Sequence, residues 1–130
     1  MDVLLCYTPY ELFFKLSKSI QDDPTLNKKK AVKSIGRFVS LHPHNLAQKT
    51  EIIIEHFKNV VMHKIGGKAK AMVVSSSRLH AVRYKKSFDD YIKEKGYTQI
   101  RALVAFSGKV MNNGIEETEA KMNGFKEKEI

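Results

Sequence analysis

Ser75-Ser76-Ser77-Arg78 is the stretch whose residue types could do chemistry on an anion. Three hydroxyls and a guanidinium follow an apolar run, residues 69–75, and precede a helical pattern that begins near Leu79. At a strand-to-helix junction the first-turn amides point where the hydroxyls point, which suits a phosphate oxygen. Each charge-assisted bond there is worth roughly 1–3 kcal/mol. The same residues also describe a plain N-cap, with Ser76 or Ser77 satisfying the helix; one residue can do both. Ser107-Gly108 ends a second apolar run, residues 100–106. If the two runs are parallel strands, this pair lies on the same carboxyl edge and offers either a backbone contact or an ordinary turn. Arg83, Lys86 and Lys93, with Lys85 and Lys95, form a basic helix face between the two runs. Such a face meets a polyanion or is merely solvated.

No complete catalytic centre is legible. His42 and His44 are separated by Pro43, and His56 and His63 stand seven apart on one helix, without a thiol or acidic ligand at metal-binding spacing. Lys33-Ser34-Ile35-Gly36-Arg37 lacks the glycine pattern of a phosphate-binding loop. Gly66-Gly67 precedes an apolar run rather than following one. Glu116-Glu117-Thr118-Glu119 gathers carboxylates and reads as a charged loop. Cys6 is the single cysteine, so no internal disulfide forms and a reducing compartment fits.

These residues must be held by elements that the pattern suggests. Thr8-Pro9-Tyr10-Glu11 is a capping box that starts a helix over residues 9–20, and Asp22-Asp23-Pro24 ends it. A second helix starts between Asp23 and Lys28 and reaches Ser40, with Ala31, Val32, Ile35, Phe38 and Val39 at helical spacing. His42-Pro43-His44-Asn45 breaks the pattern. A third helix runs to about Lys64 with Leu46, Ile53, Phe57 and Val60 on one stripe, and Gly66-Gly67 ends it. Residues 69–75 then read as a strand covered on both faces. The helix near 79–95 has Ala81, Tyr84, Phe88, Tyr91 and Ile92 on one side, with Gly96 as its C-cap. Residues 100–106 are the second strand, and a crossover of this length implies a right-handed parallel βαβ unit. Asn112-Asn113-Gly114 and Asn123-Gly124 are turn signals.

The expected class is therefore α/β: a helical segment, residues 1–66, followed by a partial parallel sheet in residues 67–130. At 130 residues the chain can build one modest core. Lys plus Arg exceed Asp plus Glu by 23 − 14 = 9, which favours a polyanionic partner. No apolar run is long enough to cross a membrane and the start is unlike a signal peptide, so no membrane partner and a cytoplasmic location are expected. Two parallel strands do not make a stable sheet alone. Either the first-half helices cover them or further strands are supplied from elsewhere.

From Ile65 to Phe125 the chain resembles the start of the second RecA-like motor domain in the R subunit of type I restriction enzymes. The matching words are Lys68-Ala69-Lys70-Ala71-Met72-Val73-Val74, Ser76-Ser77-Arg78, Ala81-Val82-Arg83-Tyr84, Leu103-Val104-Ala105-Phe106-Ser107-Gly108, and Thr118-Glu119 with Met122-Asn123-Gly124-Phe125. The first half, with Ile52-Ile53-Ile54-Glu55-His56-Phe57, is similar to the helical segment entering that domain. The resemblance implies a partial RecA-like sheet of helicase superfamily 2. It places Val73 to Arg78 at helicase motif IV, on the track that holds double-stranded DNA by its phosphates. Ser76, Ser77 and Arg78 are then the leading contacts, and Ser107 and Gly108 the next. The parent would be an ATP-dependent type I site-specific deoxyribonuclease and translocase. ATP and Mg2+ would bind elsewhere in it, and its partners would be the remaining R-subunit domains and the modification and specificity subunits. The phosphate cradle, metal ligands and transition-state cation that ATP hydrolysis needs are absent from these words. The implied piece is thus an inactive fragment without cofactor. The competing reading is a non-enzymatic adaptor that packs the helices of residues 9–64 on a partner.

Overall fold

The computed structural model describes Glu11, residues 14–19 and residues 27–125. Residues 14–19 are helical. The capping box at Thr8-Pro9, Cys6, the break at Asp22-Asp23-Pro24 and the end after Phe125 lie outside the described residues. The chain divides into two compact units, one ending at Gln48 and the other beginning at Lys49.

In the first unit, helix α1 spans Lys28–Ser40. Asn27 starts it, its Oδ1 accepting from the Lys30 amide at 3.4 Å. Val39 is buried and Ala31, Val32 and Ile35 are half-buried, as the spacing predicts. Phe38 is not part of that face and stands 66% exposed. Asn45, itself buried, donates from Nδ2 to the Val39 carbonyl at 3.1 Å and so satisfies the end of α1. Helix α2 spans Pro43–His56. Three of the four residues expected to break the pattern thus belong to α2: Pro43 opens the helix, where a missing N–H costs nothing, and His42 Nδ1 accepts from the His44 amide.

The second unit begins inside α2, which continues as a π-helical turn, Phe57–Val61, and a short 3-10 turn, Ile65–Gly67. Helix α3 spans Arg78–Lys95 and ends on Gly96 at φ 69°. Strands β1 (Lys109–Asn112) and β2 (Ile115–Thr118) form an antiparallel hairpin, with Asn112 opposite Ile115. Asn113 and Gly114 make its turn at φ 52° and 78°, the conformation a two-residue hairpin loop needs. Helix α4, Glu119–Asn123, follows directly. The core is Val82, Val104, Phe106 and Val110, with Leu79, Ala81 and Met122 against it.

The chain is thus mixed α/β and helix-rich. The parallel sheet expected from the βαβ order is not formed among the described residues, where the sheet is the β1–β2 hairpin alone. Residues 69–75 are not covered on both faces: Met72 is 86% and Val74 80% exposed. Residues 100–106 do alternate, with Val104 and Phe106 buried and Leu103 and Ala105 exposed. Their backbone bonds go to side chains of α4 instead of a strand. Asn123 accepts from the Val104 amide at 2.9 Å and donates to its carbonyl at 2.8 Å, and Glu119 accepts from the Phe106 amide at 3.0 Å. An amide side chain has the same donor and acceptor as a peptide, so Asn123 replaces a neighbouring strand at one point. On that edge the Val104 amide and carbonyl and the Phe106 amide are already satisfied by α4, so a strand there would find them occupied.

Candidate functional site

Ser77 is the N-cap of α3. Its extended backbone leaves the helix, and its Oγ accepts from the His80 amide at 3.3 Å while lying 2.7 Å from His80 Nδ1. His80 is buried, so this hydroxyl is committed inward. Ser75 Oγ donates to the Ser77 carbonyl at 3.1 Å and tightens the same turn. Ser76 between them is exposed. The cap reading of the serine run therefore belongs to Ser77, and Ser76 retains an outward hydroxyl.

Arg78 reaches across to the second loop. Its Nη1 donates to the Ser107 carbonyl at 2.9 Å. Gly108, at φ 75°, lets that guanidinium close in: a Cβ there would stand 3.3 Å from Arg78 Nη1. Arg78, Ser107 and Gly108 are all exposed. Two loops that are 29 residues apart in the chain thus meet at one solvent-facing point. The remaining guanidinium donors, the Ser76 hydroxyl and the first amides of α3 are the groups available to an anion there.

Part of the basic face of α3 is engaged within the fold. Arg83 Nε donates to Asn112 Oδ1 at 3.3 Å, and Lys86 Nζ to Glu117 Oε1 at 2.7 Å. Lys121 reaches the other oxygen of Glu117 at 3.2 Å. Lys85 is buried and bonds both oxygens of Asp89 on its own helix. Lys93 is exposed. Of the expected face of Arg83, Lys86 and Lys93, the first two thus contact the hairpin and the third does not. Glu116-Glu117-Thr118-Glu119 is no loop, since it runs from β2 into α4 with Glu117 buried. Its bond from Lys86, then that from Lys121, holds the Glu117 carboxyl below the ordinary 4.5.

A second polar cluster ties α2 to α3 inside the same unit. Glu55 Oε1 accepts from Tyr97 at 2.6 Å and from Tyr91 at 2.9 Å. Those two bonds, Tyr97 first, lower the Glu55 carboxyl, while burial and then Glu55 raise the Tyr91 phenol. Lys58 lies 4.3 Å over the Tyr97 ring, and Thr50 meets Ser87 at 2.7 Å. The Glu55, Tyr91, Tyr97, Thr50 and Ser87 oxygens in these contacts bond one another within the fold, so the cluster acts as a cross-link. Sequence reasoning gave Glu55 and Asn123 no bonding role and read Glu117 as part of a charged loop; Asn123 stood only in a turn signal and in one of the matching words.

Among the described residues no three His, Cys, Asp or Glu side chains gather in a metal-binding group, and no helix is long and apolar enough to cross a membrane. Comparison of the chain with protein-family models, with curated proteins and with solved structures gives no match.

Proposed function

We propose that this chain carries part of the wall of a double-stranded DNA track in an ATP-driven motor, the R subunit of a type I restriction enzyme. The observation that carries the reading is the Arg78–Ser107 bond, which joins two loop ends into one exposed cationic edge at the start of an 18-residue helix. In this reading residues 69–75 and 100–106 are neighbouring strands of a partial RecA-like sheet, completed by the parent's other domains. The exposure of Met72, Val74 and Leu103 supports that role, since apolar side chains of a sheet seek cover.

The chain then supplies binding and no catalytic group. A phosphate at the edge accepts from the outward donors of Arg78, from Ser76 and from the opening amides of α3, with the helix dipole adding to the attraction. Because only backbone phosphates are met, binding is indifferent to sequence and falls steeply with salt. ATP and Mg2+ act on the parent's other segments, and its modification and specificity subunits choose the site. Titration of the full chain with a mixed-sequence duplex at two salt concentrations tests this. Ser76→Ala with Arg78→Ala should weaken binding roughly tenfold, the loss of one good charge-assisted contact. Binding that ignores salt, or that survives this double substitution unchanged, refutes the edge.

Ile52 and Val60, exposed on α2 and the π-helical turn, favour a second reading as a non-enzymatic docking module. Sedimentation separates the two: a tight self-associated or partner-bound state without DNA affinity belongs to the docking module.

A further inference from the structure

Helix α1 holds five cations in its 13 residues, and no Asp or Glu occurs between Asn27 and Thr50. Lys28, Lys29 and Lys30 fill its first turn, where the positive end of the helix dipole disfavours them. Such a placement lowers the stability of the helix, and no carboxylate offsets it at Lys29, Lys30, Lys33 or Arg37 among the described residues. Local choices that work against the fold mark surfaces used for something else.

The geometry is regular. Lys29, Lys33 and Arg37 follow one another at every fourth residue, a row about 12 Å long. Lys30, Ser34 and Phe38 form a second row beside it. All six are exposed. The opposite side, Ala31, Val32, Ile35 and Val39, is half-buried or buried. We propose that this exposed face of α1 is a separate contact surface for the phosphodiester backbone of duplex nucleic acid.

Charge complementarity selects that occupant. Along the ~12 Å of the row a duplex presents roughly seven phosphate charges, enough to pair every cation at once. An anionic membrane is the poorer fit. Interfacial helices bury a continuous apolar face in lipid, and here that face already packs within the protein, leaving Phe38 as the one large apolar side chain among the cations. Phe38 instead stands edge-on to the His42 ring, 6.1 Å between centroids. The surface lies in a different unit from the Arg78 edge and does not depend on it.

The test uses the full chain and a short mixed-sequence duplex, titrated between about 50 and 200 mM salt. Gln keeps helix propensity close to that of Lys and Arg, so the quadruple variant Lys29→Gln, Lys30→Gln, Lys33→Gln, Arg37→Gln keeps its helical circular dichroism. It should bind at least tenfold more weakly and lower the slope of log K against log salt by roughly 3–4. Ser34→Lys adds a cation to the second row and should strengthen binding severalfold, an effect unfolding cannot mimic. Both effects should persist in the Ser76→Ala, Arg78→Ala background, so failure of this surface and failure of the Arg78 edge are read separately. An unchanged slope in the folded quadruple variant overturns the proposal. So does a silent Ser34→Lys, or binding of the unaltered chain to phosphatidylserine vesicles with none to duplex at low salt.

Discussion

Helices α1 and α3 are both rich in lysine and arginine, and they differ in what stands opposite those cations. On α3, Arg83 meets Asn112, Lys86 meets Glu117 and Lys85 meets Asp89. On α1, the cations from Lys29 to Arg37 meet no carboxylate among the described residues. A count of charges along a chain therefore does not measure the charge a partner can reach. Helix α3 engages Arg83, Lys85 and Lys86 within the fold while Lys93 stays exposed, and α1 keeps Lys29, Lys30, Lys33 and Arg37 exposed.

The largest effect should come from the core that holds the hairpin on α3. Phe106→Ala removes a ring packed with Val82, Val104 and Val110, at a cost of about 3–5 kcal/mol in urea denaturation. A loss below about 1 kcal/mol would mean that the hairpin is held by its polar contacts alone. Next is the contrast in salt dependence. Arg83→Gln with Lys86→Gln should move the slope of log K against log salt by less than about 1, against roughly 3–4 for the α1 variant. Equal slopes would erase the distinction between the helices.

Acid sharpens the contrast in a different way. The folded Glu117 carboxyl lies below its ordinary 4.5, through Lys86 and then Lys121. Its contribution to stability is thus complete above 4.5 and drains away as pH falls below that value. Thermal melts should show the second unit weakening on that side, and Glu117→Gln should flatten the fall. Some slope should remain, because Glu55 is lowered in the same direction by Tyr97 and Tyr91. Helix α1 has no carboxylate and adds nothing to it. A slope that Glu117→Gln leaves unaltered would show that the Lys86 pair does not form in solution. The smallest effect belongs to the caps. Ser77→Ala should cost about 1 kcal/mol and speed amide exchange in the first turn of α3, while Asn27→Ala, which breaks a longer 3.4 Å bond on α1, should cost less.

Much of the local structure is legible in the residues. The end of α1 at Ser40, the span of α3, the Gly96 cap and the Asn113-Gly114 turn follow from spacing and turn chemistry. The serine run shows both its readings, and the fold divides them between Ser77 and Ser76. The two apolar runs are visible as well, but whether they pair depends on neighbours that no short pattern contains. The strand character of Glu116-Glu117-Thr118 was hidden because three polar residues in a row suggest solvent. Only the lysines of α3 and α4 make burial of Glu117 tolerable.

By itself the sequence determined α1 and α3, where those two helices end, the Asn113-Gly114 turn and the excess of positive charge, since each depends on residues within about one helical turn or on simple sums. The tertiary structure alone decided that Arg78 meets Ser107, that Lys86 meets Glu117 and that Asn123 takes the place of a strand beside Val104. Those partners stand 29, 31 and 19 residues apart. Contacts over such separations form only when the core of Val82, Val104, Phe106 and Val110 has offset the entropy of closing the chain between them.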